Sequence, residues 1–315
     1  QYRQDASQTG VVMSRLFDAY IMVDWSAASK PVTRKNSIWI GILAKDARLK
    51  FQYQSANIDT RLKARTFLEG IIAKLTGRGD RVLIGFDFSL GYPAGTASAL
   101  GLDVSDQKPW QAMHAHLASK MKDKPDNSNP RYAIAAGMNY AISKGPYPFW
   151  GAPARDVVST LSGTKPDFDG QPLPEYRLVE KHLRDAKLGQ PKSVWQLAYT
   201  GSVGSQSLTG IPHVHALRQA LPESRIWPFE FEDGEMTEET LEGVKIVFAE
   251  IYPSLVPLKA EKGETPDAAQ VRQIAHHYSD LDGKGVLGRR ISTNNSLDEG
   301  KISQIQAEEG WILGA

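Results

Sequence analysis

Residues 81–95, RVLIGFDFSLGYPAG, constrain the fold more than any other part of the sequence. An apolar run, 82–86, is interrupted only by Gly85 and ends at Asp87, and serine, glycine and proline follow at once. This pattern predicts a buried strand that delivers a carboxylate to a turn. In open α/β sheets, ligands bind beyond the carboxyl ends of the strands, so Asp87 is a candidate functional residue. The alternative is that Asp87 only bonds the backbone of its own turn.

The same strand-then-acid pattern occurs twice more in the chain. Residues 20–23 are apolar and lead into Asp24, and residues 246–249 are apolar and lead into Glu250. A single acid at a strand end is well explained as a turn residue, but three such endings favour a shared site. The pattern therefore predicts that Asp87 faces Asp24 across the central sheet with a cation between them.

The order of elements between these strands indicates the fold class. Residues 37–43 and 49–54 read as strands at hairpin spacing, and residues 61–75 have the apolar spacing of a helix. Three strands, a helix and a further strand differ from the alternating βαβ order of a dinucleotide fold. We therefore expect an α/β protein with a mixed central sheet, in which three antiparallel strands and further parallel strands are flanked by helices.

Length and composition set the domain organisation that we expect. The 315 residues predict one domain, 13–315, that carries a largely helical, proline-rich insertion at about 96–192. The polar residues 1–12 precede Met13, which we take as the natural start, and are expected to be an added or disordered arm. The chain contains no cysteine, which excludes disulfides, thiolate zinc sites and cysteine nucleophiles and fits a cytoplasmic location.

Charge and hydropathy limit the classes of partner that the protein is expected to bind. The formal net charge of +1 provides no overall attraction to nucleic acid or to an anionic membrane, so any contact with a polyanion must be local. No apolar run approaches the roughly 20 residues of a membrane span, and no membrane partner is expected. The oligomeric state is not constrained by these patterns.

Converging carboxylates would require a neutralising partner. Asp24, Asp87 and Glu250 follow three predicted strands, and Asp267 lies in the first turn of a predicted helix, 266–278, where it also suits the helix dipole. Like charges at short range in a partly dehydrated site are costly unless a proton or a cation is bound. Hard divalent cations prefer carboxylate oxygens, and such ions serve phosphoryl chemistry. The residues thus predict a Mg²⁺ or Mn²⁺ site that acts on a nucleic acid or nucleotide.

Several short motifs carry a resemblance to a known family. They are DWSA at Asp24, GFDFSLGYP around Asp87, EIYPS at Glu250, DAAQVR at Asp267, and EEGWILG at 308–314. In this order they resemble the DUF429 family of predicted ribonuclease H-like nucleases. The resemblance covers the core from about residue 18 to 314 but not the insertion.

The resemblance implies a ribonuclease H-like fold and a metal-dependent nuclease or phosphodiesterase. It implies that Asp24, Asp87 and Asp267 hold the metal, with Glu69 on the first helix as a fourth ligand. Glu250 competes with them as a catalytic acid, or it fixes the final helix by accepting its N–H groups.

The candidate substrate-binding residues are more dispersed. Serines beside the acids could orient phosphate, and the Gly/Ser-rich stretch 200–210 could present backbone N–H groups to a phosphate or be a flexible surface loop. An aromatic cluster in the insertion could line a substrate pocket or simply pack against the body. The candidates are Ser26, Ser89, Trp150, Arg155, Gly201 and Arg272.

Two other classes of function remain open from the sequence. One is a nucleotide-binding phosphotransferase of the related actin-like fold, with DWSAAS and the stretch near Gly201 around the phosphates. The other is a non-catalytic binding or scaffold protein, which the near-zero net charge and the acidic stretch 223–250 favour.

Overall fold

The protein is built around one mixed β-sheet in a computed structural model that describes residues 15–199, 201–294 and 296–315. The strands are β1 Ala19–Asp24, β2 Ile38–Lys45, β3 Phe51–Ile58, β4 Val82–Phe86, β5 Ser224–Ile226 and β6 Ile246–Glu250. They form a six-stranded sheet in the order β3-β2-β1-β4-β6-β5. The chain is therefore an α/β protein with a mixed sheet, as predicted.

The pairing directions divide the sheet into two halves. β1, β2 and β3 form an antiparallel meander, whereas β4 pairs parallel to β1, and β6 pairs parallel to both β4 and β5. Because β1, β4 and β6 all run in the same direction, their carboxyl ends lie at one edge of the sheet. This edge is where the three predicted acids leave their strands.

Helices cover both faces of the sheet. They are α1 Arg61–Gly77, α2 Thr96–Ala99, α3 Pro109–Lys120, α4 Arg131–Ser143, α5 Leu178–Asp185, α6 Gly204–Ala220, α7 Pro266–Gly283 and α8 Glu299–Gln304. Buried residues of α1 and α6 share one core with Ile21 and Ile84, and buried residues of α7 share a second core with Met22 and Leu83. Alternate residues of β1 and β4 thus enter opposite cores, which explains why both strands are almost wholly apolar.

The segment 194–220 differs from the sequence-based prediction. Residues 194–198 form a turn with an isolated bridge, and α6 starts at Gly204, inside the Gly/Ser-rich stretch 200–210 that was read as a possible surface loop. Most of the stretch read as a loop is therefore helix. Its small residues allow close packing: a methyl group at Gly210 would overlap the ring of Phe88. Gly and Ser are poor helix formers, but here tertiary packing outweighs that preference.

The last two strands of the sheet are short. β5 covers three residues, and β6 comprises the apolar run 246–249 and ends at Glu250. The segment between β4 and β5 contains helices α2 to α6 and no strand of the sheet among its described residues.

A C-terminal segment, residues 308–313, fastens the loop that follows β4. The Glu308 carboxylate accepts the backbone N–H groups of Gly95 and Ala97, each at 2.7 Å. Glu309 accepts the N–H of Ala94 at 3.0 Å, and Leu313 N–H donates to the carbonyl of Glu250 at 2.9 Å. This segment therefore ties the two parallel strands β4 and β6 together just beyond their ends.

Within the described ranges, no helix combines the length and apolar character required to cross a membrane. The predicted arm, 1–12, and the predicted start at Met13 lie outside the described residues.

Candidate functional site

Strand register brings Asp24 and Asp87 together. β1 and β4 pair Met22 with Gly85 and Val23 with Phe86, so the next pair in register is Asp24 with Asp87. The Asp87 N–H continues this ladder by donating to the carbonyl of Val23 at 3.2 Å. Successive side chains on a strand alternate between faces, so both carboxyls project to the face covered by α7.

Two neighbouring groups hold the Asp87 carboxylate in place. The backbone N–H of Trp25 donates to its Oδ1 at 2.7 Å. The side-chain amide of Gln206 on α6 donates to the carbonyl of Trp25 at 2.6 Å and approaches Asp87 Oδ2 at 3.5 Å. Gln206 thus links the turn after β1 to the acid after β4.

Burial and mutual repulsion disfavour two negative charges at this pair. Burial raises the pKa of Asp87 to about 6, although the N–H of Trp25 and a hydrogen bond from Asp24 act in the opposite direction. Burial raises the pKa of Asp24 well above its usual value, and the negative charges of Asp87 and Asp267 raise it further. Asp24 is therefore the member of the pair that is harder to ionise.

Asp267 approaches this pair from the first turn of α7. The helix packs against β1 and β2, and the Thr265 hydroxyl caps it by accepting the N–H of Ala268. Burial raises the pKa of Asp267, while the backbone N–H of Asn36 and the charge of Lys35 oppose the rise. Asp267 thus acts on Asp24 through its charge. Across the described residues, no three His, Cys, Asp or Glu side chains are grouped closely enough to hold a metal ion.

Glu69 lies away from the acid pair. α1 packs on the face of the sheet opposite α7, and Glu69 projects outward from it, half exposed, with Arg65 Nε 3.4 Å away. Glu69 was expected to be a fourth metal ligand. Its position does not agree with that role, because Asp24 and Asp87 project to the other face of the sheet.

Glu250 takes part in a separate buried ion network. β6 pairs Glu250 with Phe86, one residue before Asp87, so its side chain projects away from the face of Asp24 and Asp87. Its carboxylate accepts two hydrogen bonds from Arg177, at 2.6 and 2.8 Å. Burial raises the pKa of Glu250, and the charge of Arg177 opposes the rise.

Arg177 is the centre of this network. Its guanidinium is fully buried, and it also pairs with Glu180 and donates to the Ser89 hydroxyl at 3.0 Å. Burial disfavours the charge of Arg177, but the two carboxylates outweigh this and raise its pKa. Arg177 thus forms hydrogen bonds with both Glu250 and Ser89, which were expected to serve catalysis or substrate binding.

A cavity of about 210 Å³ lies between the acid pair and this network. Asp87 and Glu250 line it at the ends of their strands, and Gln206 lines it at the start of α6. Gly201, with a φ of 74°, and Lys192 complete one wall. Of the predicted substrate-binding residues, Gly201 and Ser89 therefore line the same cavity as Asp87.

The other predicted substrate-binding residues have local partners. The Ser26 hydroxyl donates to the carbonyl of Asn36 at 2.6 Å. Arg272 pairs with Glu264 at 2.7 Å. In the insertion, Trp150 is half buried and Arg155 is exposed beside Asp156, with 3.2 Å between their side chains.

Sequence reasoning did not identify Arg177, Gln206 or Lys192. The Glu180 carboxylate accepts the backbone N–H of Arg177 at 2.8 Å at the start of α5, but an arginine is not one of the residues that mark a helix N-cap, so no sequence signal marked this position. Gln206 lies in the stretch interpreted as a loop, and no pattern marked its side chain as a neighbour of Asp87.

Comparison with known proteins found no matching family model, no similar curated protein and no similar solved structure.

Proposed function

We propose that the protein is a divalent-metal-dependent nuclease or phosphodiesterase that acts at the Asp24–Asp87 pair. The observation that carries the proposal is the pairing itself: two carboxyls lie adjacent in register at the carboxyl ends of parallel strands beside a cavity, and burial and mutual repulsion raise the pKa of Asp24. A cation bound at the pair would relieve this repulsion.

The topology is consistent with a ribonuclease H-like fold, and we propose that assignment. An antiparallel meander followed by parallel strands, with acids closing β1 and β4, is the arrangement that the DUF429 resemblance implies. The sheet order includes the short edge strand β5, which lies outside β6.

The donor set fits Mg²⁺ or Mn²⁺. Asp24 and Asp87 supply hard oxygen ligands, and Mg²⁺ is commonly bound through one or two carboxylates with water and phosphate. We propose that these two residues hold the metal and that Asp267 supports it by charge. A bound cation would supply Lewis-acid activation of water and stabilisation of the phosphate charge.

Other residues of the chain orient Asp87 and the phosphate of the substrate. The Trp25 N–H and the Gln206 amide fix the orientation of Asp87. Phosphate orientation is assigned to the start of α6 and to Lys192 rather than to Ser26, whose hydroxyl already donates to a backbone carbonyl. A helix start presents backbone N–H groups and a positive dipole end to an anion.

The size of the cavity favours a polymeric substrate. Pockets that enclose a whole small ligand usually have volumes of about 300–1,000 Å³. A cavity of about 210 Å³ suits one sugar–phosphate unit whose neighbours lie outside. This argument favours nuclease activity over the alternative, a nucleotide-binding phosphotransferase that must enclose ATP.

Cleavage assays with a matched pair of variants test the proposal. The purified protein is incubated with labelled DNA and RNA, single-stranded and duplex, in Mg²⁺, in Mn²⁺ and in EDTA. We expect metal-dependent cleavage that Asp87→Asn reduces by at least a hundredfold and that Asp103→Asn leaves unchanged, because Asp103 is an exposed turn residue bonded to Ser105. Equal cleavage by the wild type and Asp87→Asn would refute the proposed role.

Calorimetry with ATP distinguishes the alternatives. Binding of ATP without nuclease activity would favour the phosphotransferase. Absence of any shift in melting temperature with Mg²⁺ or Mn²⁺ would favour a non-catalytic binding protein, since a ligand that binds the native state must stabilise it.

A further inference from the structure

An exposed tyrosine, Tyr199, lies just before the segment 201–203 that lines the Asp87 cavity. The side chain of Tyr199 is 62% exposed, and its backbone has a φ of 77°, a left-handed conformation that a tyrosine rarely adopts. Strained backbone of this kind is often found at ligand-binding segments.

Tyr199 is connected to the cavity by a single turn. The N–H of Ser202 donates to the carbonyl of Tyr199 at 3.1 Å, and 201–203 line the cavity that contains Asp87. The start of α6 follows immediately. The tyrosine therefore lies within one turn of the proposed phosphate-binding residues.

Exposed valines extend the apolar surface beside Tyr199. A methyl group at Gly163 would lie 3.8 Å from Val157 Cγ2 and 3.9 Å from the Tyr199 hydroxyl, so these two side chains flank the same point. Val157 is 46% exposed and Val158 is 51% exposed. Val157 and the Tyr199 hydroxyl thus lie on one exposed surface, which Val158 follows in the chain, and a planar base could cover this surface.

Lys192 supplies a positive charge at the wall of the Asp87 cavity. The stem of Lys192 runs beside Gly201, since a methyl group at Gly201 would lie 3.6 Å from its Cγ. Lys192 is exposed, and no salt bridge joins it to another described residue. Arg155 is less available, because it pairs with Asp156 at 3.2 Å.

We propose that Tyr199, Val157, Val158 and Lys192 form a platform that binds single-stranded nucleic acid and directs it into the Asp87 cavity. The inference rests on the proposed phosphodiester chemistry at that cavity and specifies its substrate class. An unpaired base stacks on Tyr199, the following phosphate contacts Lys192, and the next sugar–phosphate unit enters the cavity. Stacking requires an unpaired base, because the faces of paired bases are covered in a duplex.

Binding of labelled oligonucleotides in EDTA tests the platform without cleavage. The probes are a fluorescein-labelled single strand of about 12 nucleotides, as DNA and as RNA, and the matching duplex. Anisotropy titrations compare the wild type with Tyr199→Ala, Tyr199→Trp and Lys192→Ala. The control variants are Tyr140→Ala and Lys144→Ala, which remove a tyrosine of similar exposure, 57%, and a lysine beside it at the end of α4.

The expected results differ between the two side chains. Tyr199→Ala should weaken single-strand binding by about 5- to 100-fold, the range for loss of one base–aromatic stack, and Tyr199→Trp should retain it. Lys192→Ala should reduce the salt dependence, the slope of log K against log salt, by about 0.7, and Tyr199→Ala should leave that slope unchanged. The control variants should bind as the wild type does.

Three outcomes would overturn the inference. These are wild-type affinity in Tyr199→Ala, equal losses in Tyr140→Ala and Tyr199→Ala, or a preference for duplex. Each leaves the nuclease proposal standing if the wild type still cleaves in Mn²⁺. Conversely, a stacking-dependent affinity in a protein that cleaves nothing would support the platform and refute the nuclease proposal.

Discussion

Replacement of Asp87 by asparagine is expected to stabilise the folded protein although it removes the proposed activity. The change is nearly isosteric. The asparagine carbonyl can accept the Trp25 N–H as the carboxylate does, and its amide can donate to Asp24, so that one of the two negative charges of the pair is removed. Only the approach of Gln206, already long at 3.5 Å, is lost.

The magnitude follows from the pKa of Asp87. Burial raises this pKa from 3.8 to about 6, and one pH unit corresponds to 1.36 kcal/mol. Ionising Asp87 in the folded protein thus costs up to about 3 kcal/mol, and we expect a gain of about 1–3 kcal/mol because Asp24 responds to the change. With an unfolding entropy of about 2.1 cal/mol/K per residue, 315 residues convert this gain to about 2–5 °C in melting temperature.

The stability difference between Asp87→Asn and the wild type should depend on pH in a defined direction. A carboxyl whose folded-state pKa is raised makes the folded state less stable as the pH rises from its unfolded pKa, 3.8, to its folded pKa, about 6. The wild type loses this stability over that window, and Asp87→Asn does not. The difference in melting temperature should therefore be small near pH 4 and complete above about pH 7.

Differential scanning calorimetry in EDTA at a series of pH values measures this difference. Asp103→Asn is the control, because hydrogen bonds from Ser105 lower the pKa of that exposed carboxyl and its replacement should bring no gain. A melting temperature of Asp87→Asn at or below that of the wild type at pH 8, or a gain that is equal at pH 4, would refute the reasoning.

Two further changes test the packing around the site. Arg177→Met should lower the free energy of unfolding by about 3–5 kcal/mol, since it leaves Glu180 and Glu250 buried without a counter-ion; a loss below about 1 kcal/mol in urea unfolding would contradict this. Gly210→Ala should destabilise by about 1–3 kcal/mol, because the added methyl overlaps the Phe88 ring, and an unchanged urea midpoint would contradict that.

The sequence predicted the elements of the central sheet well where the apolar pattern was strong. β1 and β4 end where predicted, and the acid after each lies at the same edge of the sheet. This success has a physical cause, because a strand buried on both faces leaves a continuous apolar run that few other elements produce.

The register in which β6 pairs with β4 could not be predicted from the sequence. Glu250 shares the strand-then-acid pattern with Asp87, yet β6 pairs it with Phe86, and this offset of one residue places the two carboxyls on opposite faces. The partner of Glu250, Arg177, is 73 positions distant in the proline-rich insertion, so no local pattern could reveal the pair. The first part of α6 was read as a possible loop because its glycines and serines were judged by intrinsic preference, whereas close packing selects them here.

The segment 308–313 has a consequence for the order of folding. The hydrogen bond between Gly95 and Glu308 closes a loop of 213 residues, among the longest-range contacts near the site. Closing such a loop costs chain entropy before any contact compensates for it, and contacts of this kind slow folding. We therefore expect the part of this loop around Gly95 to acquire its final conformation late, only after residues 308–313 have docked against it.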